Sequence, residues 1–234
     1  MSSMKLVKIN HKWDLKVPEI REKALPWSVW EKERLAAMHK VIRKGDVVLD
    51  IGTEFGDMTA LYSKWSGGNV ILAEPAINYW VYIKEIFEAN NCPPPISSFV
   101  GFVGKEHRYD YVGSGYPPEV NLPHTVEGDE GFGFRHLNEQ GDSIPTITID
   151  EISKIRKLDI VNMDIEGAEY QALLGAQKVL KEDRPIWFIS VHPAFMYDRY
   201  KNTFDDLIHL MELNNYETTF LGEDHESHYM FKPL

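Results

Sequence analysis

Val47-Val48-Leu49-Asp50-Ile51-Gly52-Thr53-Glu54-Phe55-Gly56 is the stretch on which the fold turns. Residues 47–51 are apolar and rich in β-branched side chains, and they run into a glycine turn, the pattern of a strand buried on both faces. Helical spacing follows at once. Met58, Leu61, Tyr62 and Trp65 share one side until Gly67-Gly68 ends the helix. A strand passing through a glycine turn into a helix is the opening unit of a parallel α/β sheet.

Downstream, the alternation repeats. Residues 69–73 read as a second buried strand, and 77–90 as a helix with Trp80, Ile83 and Phe87 on one side. Pro93-Pro94-Pro95 breaks it, and 96–103 read as a third strand. Strands are expected again at 158–163 and 186–191, with a helix over 166–180 between them. Phe204, Leu207, Ile208 and Met211 mark a last helix, and 216–221 and 229–232 flank a polar loop as an antiparallel hairpin. Upstream, Ser28 and Glu31 stand at capping-box spacing before a helix carrying Leu35, Met38 and Ile42. Residues 1–26 read as an irregular leader closed by Pro26. The expectation is one doubly wound α/β domain over residues 1–234.

The pattern lapses over 104–145, which hold seven glycines, four prolines and three histidines. That exceeds the usual structureless loop of roughly 12–15 residues, so the segment reads as an insertion, a lid or a substrate-binding excursion. Tyr109, Tyr111, Tyr116, Phe132, Phe134, His107, His124 and His136 suit either sugar stacking or a packed lid.

Composition narrows the classes. The 234 residues are 43% hydrophobic and 26% charged, ordinary for a globular chain. One cysteine, Cys92, excludes a disulfide framework and a cysteine-based zinc site. The formal charge of −11 comes with no basic block, so nucleic acid is not an expected partner. No apolar run matches a signal peptide or a membrane span, and a cytoplasmic protein is the expectation. Oligomeric assembly stays open.

In open α/β sheets, ligands sit beyond the carboxyl ends of the strands. Gly52 and Gly56 let the backbone approach a ligand there, and Asp50 puts a carboxylate at the strand tip. A dinucleotide site wants G-x-G-x-x-G, whereas this loop is G-x-x-x-G with Glu54 inside it, which would repel a pyrophosphate. A cofactor bearing an ammonium and a sulfonium suits it better. Glu74-Pro75 ends the second strand, where a carboxylate can accept hydrogen bonds from both hydroxyls of a ribose. A second cluster, Asp164-Ile165-Glu166-Gly167-Ala168-Glu169, follows the fourth strand, and Ser190-Val191-His192-Pro193 follows the fifth. Glu166 and Glu169 also suit a first helical turn as acids favoured by the helix dipole.

Asp50-Ile51-Gly52-x-x-x-Gly56, Glu74-Pro75, Thr148-Ile149-Asp150-Glu151-Ile152, and Asp164 to Glu169 with Leu174-Gly175-Ala176 closely resemble the FkbM family. These are S-adenosylmethionine-dependent methyltransferases of class I, with a mostly parallel, seven-stranded, Rossmann-like sheet and a C-terminal antiparallel hairpin. The resemblance implies that Asp50, Gly52 and the backbone of Thr53, Glu54, Phe55 and Gly56 hold the methionine moiety. It implies that Glu74, beside Pro75, holds the ribose, that Phe102 and Val103 border the adenine, and that Asp164 lies near the transferring methyl group. Family members mostly methylate hydroxyls of saccharides and natural products. Two positions depart from the family: Asn162 stands where Lys is frequent, and Ser190 where Glu is.

Methyl transfer from a sulfonium demands alignment above all, and holding two reactants in register can supply ~7–11 kcal/mol of the barrier. An alcohol acceptor must also lose a proton. His192, with an ordinary pKa near ~6.5, reads as the better base at neutral pH, and Asp164 as a weaker one unless burial raises it. Asp164 with Glu166 or His192 would also suit a divalent cation such as magnesium, although no spacing demands one. Two other readings stay open: a nicotinamide-dependent oxidoreductase, and a non-catalytic binding protein on a methyltransferase fold.

Overall fold

The computed structural model describes residues 3–107, 113–114, 116 and 145–234. An open sheet is built from β3 (Val48–Ile51), β4 (Val70–Ala73), β5 (Ser97–Phe99), β9 (Ile160–Met163), β10 (Ile186–Val191), β11 (Tyr216–Glu223) and β12 (Ser227–Pro233). The strand order is β11-β12-β10-β9-β3-β4-β5, with the two-residue β7 (Gly113–Ser114) antiparallel at the β5 edge. The five strands from β10 to β5 are parallel, and β12 and β11 close the other edge as the expected antiparallel hairpin. Because the chain winds from β3 out through β4 to β5 and returns to the other side of β3 with β9, the switch point lies between β3 and β9.

Alternation along the strands feeds two cores. Leu49, Ile51, Val161, Met163, Trp187 and Ile189 face one, under α5 (Ile149–Ile152), α6 (Glu169–Leu174), α7 (Gln177–Lys181) and α9 (Phe204–Leu213). Val48, Val70, Leu72, Ile160 and Phe188 face the other, under α2 (Lys32–Val41), α3 (Asp57–Ser66) and α4 (Tyr79–Ala89).

The described part of the expected irregular leader, residues 3–26, is ordered into a hairpin and a helix. Strands β1 (Met4–Ile9) and β2 (Trp13–Pro18) form an antiparallel hairpin, and α1 (Glu19–Ala24) follows. Val7, Ile9, Leu15 and Val17 are buried in the second core, while Lys5, Lys8, Asp14 and Lys16 point to solvent. The Ser28/Glu31 capping box does not form either. Glu31 takes a left-handed φ of 42° ahead of α2, and its carboxylate instead accepts from Arg34 Nη1 at 2.8 Å. Trp27 is buried, and its indole N–H donates to Glu22 O at 2.9 Å.

The strand expected over 96–103 divides after Phe99. Its second part, β6 (Phe102–Val103), leaves the main sheet and pairs in parallel with β8 (Thr146–Ile147). The helix expected over 166–180 is two helices, because α6 ends at Gly175 and the Asp150 carboxylate starts α7 anew. It accepts from the backbone N–H groups of Lys178 and Val179 at 2.9–3.0 Å, satisfying donors that a helix start otherwise leaves open. Asp150→Ala is therefore expected to lower stability by about 1–2 kcal/mol, the usual cost of a lost helix cap. Thermal denaturation would register that as a fall of roughly 2–8 °C. Another helix, α8 (Pro193–Tyr200), follows β10 where the sequence reading places none. Among the described residues, no helix is long and apolar enough to cross a membrane.

Of the 104–145 insertion, only 104–107, 113–114, 116 and 145 are described; the expected lid or substrate-binding excursion lies outside the described residues.

Candidate functional site

A cleft of about 990 Å³ opens at the carboxyl ends of β3, β4 and β9, at the switch point. Asp50, Gly52, Thr53, Glu54, Glu74, Pro75, Phe102 and Val103 line one end. Asp164, Glu166, Trp30, Tyr200, His225 and Glu226 line the other. Two anticipated cofactor residues do not reach the wall. The Phe55 ring packs on Tyr79 and Tyr82 at centroid distances of 4.9 Å, and Gly56 starts α3.

Gly52 holds the strand tips together. Its N–H donates to Ala73 O at 2.9 Å, and Asp164 N–H donates to Ile51 O at 3.0 Å. Glu74, 5% exposed, spreads its carboxylate across two backbone donors, Glu54 N–H at 2.8 Å and Ala76 N–H at 2.7 Å. Burial outweighs these hydrogen bonds and pushes its pKa up to about 7. Glu54 has a cation beside it that sequence reading missed. Arg21 of α1 donates to Glu54 Oε2 at 2.7 Å and to Asp57 Oδ2 at 2.5 Å, and its guanidinium lies over the Phe55 ring. The charge of Glu54 is thus compensated, and the argument that it repels a pyrophosphate loses force.

A polar row crosses the sheet on the α2 face. Asp50, Asn162 and Ser190 occupy β3, β9 and β10 one step beyond Val48, Ile160 and Phe188, which belong to the apolar core on that face. The Asp50 carboxylate accepts from Thr59 Oγ1 and from Asn162 Nδ2. Burial nonetheless raises its pKa. Arg34 of α2, only 2% exposed, joins the row. Nη2 donates to Asn162 Oδ1 at 2.5 Å, and Nη1 to both Ser190 Oγ and Glu31 Oε2 at 2.8 Å. Ser190 continues to His228 Nδ1 at 3.0 Å. Where the family resemblance leads one to expect Lys and Glu, this chain has Asn162 and Ser190, and a guanidinium from a distant helix sits between them.

At the far end, the structure brings together Asp164, Glu166 and His192, with Glu226 from the β11–β12 loop. Glu166 lies in a left-handed turn at φ 55°, not in the first turn of α6. Glu169 is fully buried, and its Oε1 meets His192 Nδ1 at 2.8 Å. His192 does not line the cleft; its side chain is 8% exposed, behind the three carboxylates. Burial opposes a charge on the ring, but Glu169 and Glu226 outweigh it and raise the pKa to about 11. These carboxylates favour the protonated imidazole. Asp164 is 24% exposed at the cleft wall, and burial, together with Glu226, raises its carboxyl well above the usual range.

Arg34 had one signal in the sequence. It shares a helical stripe with Met38 and Val41, a charge on an otherwise apolar face. Arg21 and Glu226 had none, because Glu54 lies 33 residues from Arg21 and His192 lies 34 from Glu226.

Residues 50–218 match the methyltransferase FkbM domain. Two solved structures with similar folds are a methyltransferase FkbM from Methylobacillus flagellatus KT and TYW2 from M. jannaschii in complex with AdoMet. The first is 16% identical, with a TM-score of 0.54 over 84% of this chain and 50% of that one. The second is 15% identical, with a TM-score of 0.51 over 100% of this chain and 88% of that one. This chain therefore spans half the length of the Methylobacillus protein it resembles. No curated protein matches its sequence.

Proposed function

This chain belongs to the FkbM family of methyltransferases, and from that premise we propose that it moves the methyl group of S-adenosylmethionine to a hydroxyl of a saccharide or natural-product acceptor. The observation that carries the reading is the buried Glu74 carboxylate at the β4 tip, facing the same cleft as the Gly52 turn. Asp50 and the backbone of Gly52, Thr53 and Glu54 take the methionine moiety, Glu74 the ribose hydroxyls, and Phe102 and Val103 the adenine edge. The acceptor enters over Asp164, Glu166 and Trp30, with its oxygen in line with the sulfonium methyl. Asp164 takes the contact with the acceptor hydroxyl, a role supported by its place on the cleft wall in front of His192. The O–C bond forms as the S–C bond breaks, and the hydroxyl proton leaves through the carboxylates at this end. The free, partly buried Cys92 and the formal charge of −11 support a cytoplasmic enzyme without a nucleic-acid partner.

Calorimetric titration with S-adenosylmethionine tests this. Binding in the micromolar range is expected, with Glu74→Gln weakening it at least tenfold; no heat and no shift in melting temperature would sink the reading. The pH dependence has a definite sign. Ribose hydroxyls favour the ionised carboxylate, so affinity should hold above pH 7 and fall below it, by up to about tenfold per unit. In the empty protein, burial raises the Glu74 pKa above its unfolded value. Its contribution to stability is therefore present in full below the ordinary carboxylate range and is lost as pH rises through about 7.

A further inference from the structure

The geometry points to a divalent-cation site made by Asp164, Glu166, His192 and Glu226 at the acceptor end of the cleft, an inference that rests on the methyltransferase reading only for its chemical purpose. One ligand atom from each of the four residues lies within 4.8 Å of all the others. Ligands facing each other across a hard cation at ~2.0–2.4 Å stand ~4–4.8 Å apart, so an ion would fit with little rearrangement.

Close carboxylates alone would be weak grounds. The histidine supplies the independent observation. Its Nε2 is buried and makes no hydrogen bond, although Glu226 Oε1 lies at 3.1 Å, Glu166 Oε2 at 3.7 Å and Asp164 Oδ1 at 3.8 Å. That nitrogen is aimed into the space the three carboxylates enclose. The other ring nitrogen is fixed from behind by Glu169, whose Oε1 also accepts from Gly167 N–H at 2.9 Å. A buried carboxylate on one imidazole nitrogen, with the other nitrogen turned to oxygen ligands, is the outer-shell arrangement that orients a metal-binding histidine. Sequence spacing hides the site, because Glu226 comes from the far hairpin.

A cation would take the place of the Nε2 proton, and three carboxylate oxygens with one imidazole nitrogen favour the manganese or magnesium class over a thiophilic one. Glu166, 52% exposed, and Asp164 leave an open side toward the cleft, where an acceptor hydroxyl can complete the coordination. A cation there would make that hydroxyl more acidic.

The test titrates Mn2+ into chelator-treated, dialysed protein and follows free Mn2+ by electron paramagnetic resonance. One equivalent is expected to bind, at least tenfold more weakly in Asp164→Asn and Glu226→Gln. Glu169→Gln, which touches no cation, should weaken binding roughly 10–100-fold through His192. Glu166→Gln, at a half-exposed side chain, is the safeguard against misfolding and should weaken binding as well. No saturable binding, or binding that all four variants leave unchanged, overturns the site. Calorimetry with S-adenosylmethionine on the same samples separates the two readings. Cofactor binding without Mn2+ binding removes the cation site and leaves the methyltransferase, and Mn2+ binding without cofactor binding does the reverse.

Discussion

Replacing Arg34 by alanine is expected to cost the fold about 3–5 kcal/mol, the range for a buried ion pair broken by the loss of one partner. The guanidinium is 2% exposed and serves Glu31, Asn162 and Ser190 at once, with Asp164 Oδ2 a further 3.7 Å contact. Its removal leaves Glu31, 5% exposed, with a carboxylate that has lost its cation, and Asn162 with an acceptor turned toward nothing. Against a total stability of ~5–15 kcal/mol, such a loss is a large share. Equilibrium unfolding in urea would read it directly. Arg34→Lys separates charge from shape, since an ammonium cannot span the separate acceptors that the fork reaches. An intermediate loss is expected there. A loss below about 1 kcal/mol in the alanine variant would mean that water satisfies the row, and the account of Arg34 would fail.

Gly52→Ala carries the second large effect. The backbone at Gly52 has φ +82°, and a Cβ there would stand 1.8 Å from the Asp164 carbonyl oxygen. The strand tips cannot open to make room, because backbone hydrogen bonds tie Gly52 to Ala73 and Ile51 to Asp164. Left-handed backbone costs alanine roughly 1–2 kcal/mol, and a forced overpacking adds roughly 1–3 kcal/mol. Because the displaced atoms belong to the floor of the cleft, cofactor affinity should fall at least 100-fold. Gly45→Ala is the control, since it has φ +104° and nothing within 4 Å of the added Cβ. It should show the backbone cost alone, with cofactor affinity unchanged. Equal effects at the two positions would refute the steric argument at Gly52.

The parallel strands were legible because each is a short apolar run closed by a turn residue. The same rule found the glycine turn after β3 and the acidic cluster after β9. The N-terminal hairpin was not read, although its signal is visible once known. Val7 and Ile9, and Leu15 and Val17, alternate with charged neighbours across a turn at 10–12. The density of Lys and Asp drew attention to charge and away from that period of two. The capping box failed for a different reason. Ser28 and Glu31 have the spacing, but Glu31 has a buried arginine three residues on, and a charged partner outcompetes a backbone donor. Spacing rules see neighbours along the chain. Arg21 with Glu54, Arg34 with Asn162, and Glu226 with His192 are meetings of distant segments, and only the fold brings them together.

The reach of the cleft along the chain, from Arg21 to Glu226, also sets an order of events on the ribosome. Domains form from the N-terminal side as the chain emerges. The hairpin, α1 and the glycine turn leave the tunnel early and can meet while β9 is still being made. Glu226 lies in the turn joining β11 and β12, so this end of the cleft closes only after β10 has been made. A nascent chain halted after β10 would already hold Asp50, Gly52 and Glu74 and would still lack Glu226.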